Sequence, residues 1–184
     1  MKLFELPSPF EIETGTVLMQ EPAWARAGEL RAQLLDESYP KPFVIDDGKS
    51  RYLYFNVRLM QSEMSLKAPH DLALRYTQKM MAFLLFQPRP KRLVLIGLGG
   101  GSIIKFCHRK LPGVDLTAIE LNPDVIAFRE TFMVPADDPR LRILQADGVF
   151  QASGLESTAG SESVVRAPTN PQADRASVLA PAAQ

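Results

Sequence analysis

The stretch KRLVLIGLGGGSIIKF, residues 91–106, decides the fold: an apolar strand runs into a glycine-rich turn and then into a helix. Gly97, Gly99 and Gly101 stand at G-x-G-x-G spacing, where the missing Cβ permits a sharp turn and a close ligand approach to the amides of a helix N-terminus. Glu120 closes the next apolar strand, LTAIE, about 20 residues on, where a carboxylate can accept from both hydroxyls of a ribose. The pattern reads as the entrance to a nucleotide pocket.

Outward from this stretch, strands and helices alternate. The expected order is a strand at 92–96, a helix to about Lys110, a turn at Pro112-Gly113, and a strand at 115–120. Asn122, Pro123 and Asp124 then open a helix as cap, first helical residue and N-terminal acid. The strand RLRILQA comes next, and Asp147-Gly148 ends it. Such alternation predicts βαβ units and a parallel sheet with its ligand site at the strands' carboxyl ends. Asp147 fits that edge as an acceptor for an exocyclic amine, and the amide of Gly148 as a donor to a ring nitrogen. The bland alternative for Glu120 and Asp147 is a capping or turn role.

Upstream, KPFVIDDGKSRYLYFNV predicts a β-hairpin about Asp47-Gly48, a pair suited to positive φ. Pro69 precedes HDLALRYTQKMMAFLLF, where Leu72, Tyr76, Met80 and Leu84 recur every fourth residue along one helix face. All ten Phe, all four Tyr and Trp24 lie before position 151, whereas residues 151–184 are rich in Ala, Ser and Pro. The division expected is therefore a β-rich element over 1–68, a Rossmann-like nucleoside-binding half-domain over 69–150, and a low-complexity, disordered tail over 151–184. With three strands in view, the second half of the sheet is expected to be incomplete. The LVLI strand is then left with an apolar edge that favours self-association.

Composition removes several function classes. Lys plus Arg and Asp plus Glu both number 21, so no net field draws the 184-residue chain to nucleic acid or an anionic membrane. Cys107 is the single cysteine and His70 and His108 the only histidines, which excludes an internal disulfide and offers no metal cluster. A reducing cytoplasm fits, and no apolar run approaches the roughly 18 residues of a membrane span. Cys107 reads as a buried structural thiol, and His108 as part of a basic last helical turn.

Several ordered pieces over roughly 40–150 resemble the polyamine aminopropyltransferases, the spermidine synthase family. RLMQSEM is similar to the family segment ending in a Gln. The helix with Tyr76, Met80 and Met81 is similar to its Tyr-His-Glu-Met-Met segment. VLIGLGGGS, AIELNPDVI and QADGVF resemble its glycine loop and two acidic strand ends. The resemblance implies a methyltransferase-like α/β fold and aminopropyl transfer from decarboxylated S-adenosylmethionine to an amine, with no covalently bound cofactor. It also implies that Glu120 holds the ribose, that Asp147 and Gly148 hold the adenine, and that Gln61 and Tyr76 stand on the substrate side. Read without the family, Tyr76 is equally a packing residue and Gln61 an ordinary polar residue between a strand and a helix.

The chain departs from the family pattern at Gly100, where an acid would attract a substrate ammonium, and at Thr77, Gln78 and Lys41. The Asp-Ser/Cys-x-Asp-Pro loop that carries the family's catalytic acid is not found in these residues, so no catalytic residue is assigned and a truncated or altered family member is expected. Two further readings remain open: an S-adenosylmethionine-dependent methyltransferase, and a non-catalytic nucleoside-binding remnant.

Overall fold

A computed structural model describes residues 2–147 and 162–166. Two sheets carry the fold. The first is antiparallel and keeps chain order: β1 (Lys2–Pro7), β2 (Thr16–Glu21), β3 (Phe43–Asp46), β4 (Ser50–Asn56) and β5 (Leu59–Ser65). Helix α1 (Ala27–Leu35) lies between β2 and β3 in the chain. The second sheet is parallel, in the order β8 (Leu141–Gln145), β7 (Asp115–Glu120), β6 (Arg92–Ile96), β9 (Glu162–Arg166). Helices α3 (Ser102–Lys110) and α4 (Pro123–Ala127) belong to its connections.

The period of two along β2 and β3 explains how the layers meet. Val17, Met19, Phe43 and Ile45 face α1 and pack with Leu30 and Leu34, which sit one turn apart on that helix. The alternate residues Leu18 and Val44, with Leu53 and Met64, enter the cluster that holds Leu93, Leu95, Ile104 and Leu116 of the parallel layer. The antiparallel sheet is thus apolar on both faces, and one of those faces is part of the core under the glycine turn.

The expected β6, α3, β7 and α4 are all present. Asn122 caps α4, its side-chain oxygen accepting from the Asp124 amide at 2.9 Å, with Pro123 as first helical residue. The β3–β4 hairpin turns at Asp47-Gly48 with Gly48 at φ 79°.

Four expectations need correction. The N-terminal element is a five-stranded sheet rather than a small hairpin. The helix expected from about residue 70 begins at Arg75: α2 spans Arg75–Met80, and a 3-10 turn over Met81–Leu85 continues it. Leu74 before it is extended, and the Asp71 amide closes a local turn on the Ala68 carbonyl. Gln61 lies inside β5, not between a strand and a helix. The edge of β6 expected to be bare carries β9, in register from Arg92↔Glu162 to Ile96↔Arg166, so the ground for expecting self-association is removed. Of the tail expected at 151–184, β9 is the part the structure describes; the rest, like Gly148, lies outside the described residues. Among the described residues no helix is long and apolar enough to cross a membrane.

Candidate functional site

At the carboxyl end of β6 the Gly97 amide donates to the Ile119 carbonyl at 2.8 Å, extending the ladder one residue past the strand. Gly97, Gly99 and Gly101 then take φ values of 88°, 53° and 65°, in the left-handed region that side chains disfavour. The Gly101 amide donates back to the Leu98 carbonyl at 2.9 Å, and the Gly101 carbonyl accepts from Lys105 as α3 begins. The turn therefore delivers the N-terminal amides of α3 to the sheet edge, where an electron-rich ligand would meet them.

Packing also limits what can stand at Gly99, Gly100 and Gly101. A Cβ on Gly99 would lie 2.7 Å from Ser62 Oγ, and one on Gly100 would lie 3.0 Å from both the Phe132 ring and Ser62 Cβ. On Gly101 it would lie 2.3 Å from a Val134 methyl. Phe132 is held there by Lys105, whose Nζ donates to its carbonyl at 2.8 Å, and the Val134 amide donates to the Arg129 carbonyl at 2.9 Å. Lys105 is 1% exposed, and burial pushes its ammonium down to about 8. Ser62 and Lys105 were not singled out by the sequence; the pattern that reveals Ser62 is its alternation with buried Met64 on β5.

Glu120 ends β7 half-buried, and its carboxylate bridges two loops. One oxygen accepts from the Leu98 amide of the glycine turn at 2.8 Å, the other from the Asn122 amide at 2.9 Å. A carboxylate offers about four acceptor directions, so two such bonds leave capacity for ligand hydroxyls. The Ala146 amide donates to the Glu120 carbonyl at 3.1 Å, which brings exposed Asp147 beside the end of β7. Gly97, Gly99, Gly101, Glu120 and Asp147 thus share one edge of the parallel sheet. Gln61 and Tyr76 meet on the opposite side of the turn, where the Tyr76 hydroxyl donates to the Gln61 carbonyl at 3.1 Å.

The remaining sequence candidates lie in ordinary surroundings. Cys107 is buried, and burial pushes its thiol up to about 12, far from a reactive thiolate. His108 lies 2.7 Å from Asp138 in an ion-pair position. Among the described residues no three His, Cys, Asp or Glu side chains are placed to hold a metal ion. A groove of about 1130 Å³, lined by Leu18, Arg51, Ala127 and Thr131 among others, contains none of the glycine-turn residues.

No family model matches the chain. A polyamine aminopropyltransferase of Chromobacterium violaceum is 39% identical over 113 residues, covering 61% of this chain and 43% of that protein. One from Neisseria meningitidis serogroup A is 35% identical over 126 residues, covering 67% of this chain and 48% of that protein. The chain therefore spans about half the length of these curated relatives. The crystal structure of a probable spermidine synthase from Corynebacterium glutamicum superposes with a TM-score of 0.51 at 17% identity, covering 63% of this chain and 44% of that one. The chain is thus similar in sequence to the polyamine aminopropyltransferases, the spermidine synthase family, and shares the α/β fold of a spermidine synthase.

Proposed function

We propose that the chain binds the adenosyl portion of an S-adenosylmethionine-type ligand at the carboxyl ends of β6, β7 and β8, as part of a transferase. The observation that carries this reading is the Glu120 carboxylate, fixed at 2.8 Å to the glycine turn with acceptor capacity to spare. In it Glu120 takes the ribose hydroxyls, Gly97, Gly99 and Gly101 shape the turn that lets the ligand approach, and Asp147 with Gly148 takes the adenine edge. Residues 69–150 then carry the nucleoside half of the site, and 1–68 supply Gln61 on the acceptor side. A cytoplasmic setting accords with this reading.

The finer reading is aminopropyl transfer from decarboxylated S-adenosylmethionine to an amine, supported by the names of the relatives. In that step a neutral amine forms a C–N bond to the carbon beside the sulfonium. The C–S bond breaks with its electron pair going to sulfur, and the new ammonium releases a proton. A sulfonium is already a good leaving group, so binding and alignment are the protein's main contribution. Gly100 favours a second reading, methyl transfer from S-adenosylmethionine on the same scaffold, because Phe132 and Ser62 fill the space that an ammonium-attracting acid at position 100 would need.

Calorimetric titration with decarboxylated S-adenosylmethionine, S-adenosylmethionine and methylthioadenosine tests both readings. At least one should bind. Glu120→Ala should weaken binding by about 1.5–3 kcal/mol per charge-assisted bond removed. Unchanged affinity in that variant, with a lowered melting temperature, would assign Glu120 to structure alone.

A further inference from the structure

The helical turns that follow α4 stop at a position that favours glycine but carries methionine. The Val134 amide donates to the Arg129 carbonyl and the Met133 amide to the Glu130 carbonyl, each at 2.9 Å, the paired bonds of a Schellman stop. The left-handed residue of that motif is Met133, at φ 54°, a conformation that any side chain disfavours. Strain of this kind persists only where surrounding contacts over-determine the backbone. Two cations supply such contacts, one from each layer. The Arg51 guanidinium of β4 donates to the Thr131 carbonyl, and the Lys105 ammonium of α3 donates to the next carbonyl, that of Phe132, at 2.8 Å. Arg51 is itself fixed by Asp46, with Nε 2.8 Å from Oδ2. On either side of Met133, Phe132 and Val134 abut Gly100 and Gly101 and form the wall behind the glycine turn.

We propose that Arg51 and Lys105 are positioning residues for the adenosyl site, gripping consecutive carbonyls so that Phe132 and Val134 stay against Gly100 and Gly101 and the turn keeps the shape that receives the ligand. Neither touches the ligand. Lys105 is 1% exposed, and replacing a buried charge by an apolar group is often neutral for stability, so stability alone gives little reason for an ammonium there. What its bond secures is the direction of the strained segment. Gly100 and Gly101 have no side chain to anchor them, so the wall behind them limits where their backbone can stand. The effect then passes to Leu98, whose carbonyl accepts from Gly101 and whose amide donates to Glu120, the carboxylate read above as the ribose acceptor. Through Arg51 the antiparallel layer thus acts on a turn that belongs to the parallel one.

The inference rests on the adenosyl reading for its functional consequence, and two measurements on the full chain separate them. The first is the NMR shift of the Gly99, Gly100 and Gly101 amides, without ligand, in Arg51→Met and Lys105→Met. The second is methylthioadenosine titration of both variants, of the double variant and of Val17→Ala, a change in the core cluster around α1 that leaves the wall intact. Each clamp variant should move the glycine amides and weaken binding by about 3- to 10-fold, the effect of one lost hydrogen bond. The double variant should bind about as weakly as the weaker single one, because either break releases the same segment. Val17→Ala should melt earlier yet bind as wild type does, which separates positioning from stability. Multiplied losses in the double variant, or a loss in Val17→Ala equal to that of the clamp variants, would overturn the clamp. Unmoved glycine amides would overturn it as well. Should wild-type protein bind no adenosyl ligand, the adenosyl reading fails while the amide shifts still decide whether the two cations set the turn.

Discussion

Gly48 and Gly101 both hold positive φ, at 79° and 65°, yet they belong to opposite kinds of turn. Around Gly48, at the β3–β4 hairpin, a Cβ would meet nothing within 4 Å. At Gly101 it would meet a Val134 methyl at 2.3 Å. The hairpin asks for glycine only through its backbone angle, whereas the turn after β6 asks for it through both angle and space. Identical letters in the sequence therefore carry different energetic weight, and the heavier one lies where a ligand site is read.

The largest effect that would sharpen this contrast is Gly101→Ala. Left-handed strain of about 1–2 kcal/mol adds to an overpacking cost of about 1–3 kcal/mol, and urea unfolding should show their sum. A loss no greater than at the hairpin would break the comparison.

Lys105 supplies the next test, since it holds the Phe132 carbonyl in the segment that crowds the turn. Burial lowers its folded-state pKa from 10.5 to about 8. Between those values the unfolded chain carries a proton that the folded chain has shed, so stability should rise with pH across that window. The cost of burying the charge is fully present below about pH 8 and is relieved above it. The slope from this group is at most about 1.4 kcal/mol per pH unit. Unfolding measured at several pH values in that window should show the rise, and Lys105→Met should flatten it. The smallest effect belongs to Gly48→Ala, where strain alone predicts about 1–2 kcal/mol with no further packing loss.

The parts of the fold legible in the sequence were those set by local chemistry. The strand at 92–96, the cap at Asn122 and the Asp47-Gly48 turn arise from period, cap residues and φ preference within a few neighbours. β1, β2 and α1 went unread beyond a general β-rich character, because β2 is apolar on both faces and so shows no alternation between apolar and polar residues. The stripe Leu72, Tyr76, Met80, Leu84 suggested one long helix. A local turn at Ala68–Asp71 delays it, and tightening to 3-10 geometry after Met80 ends its regular period, leaving Leu85 and Phe86 82% and 88% exposed. For the candidate site, the grouping of Gly97, Gly99, Gly101 and Glu120 was legible since consecutive parallel strands place their ends side by side. Ser62 and Lys105 were not: alternation with Met64 on β5 marks Ser62 only as buried, and what makes both matter is contact across 38 and 27 residues of sequence.

The core shared by the two sheets has a thermodynamic consequence. Leu18, Val44, Leu53 and Met64 of the antiparallel layer sit in the same buried cluster as Leu93, Ile104 and Leu116 of the parallel one, so neither layer can open without exposing the other's apolar surface. The two should melt as one cooperative unit. By linkage, any ligand that favours the folded turn stabilises the whole of that unit by RT ln(1 + [L]/Kd), and a spectroscopic probe placed far away in the antiparallel sheet would register occupancy of the proposed site.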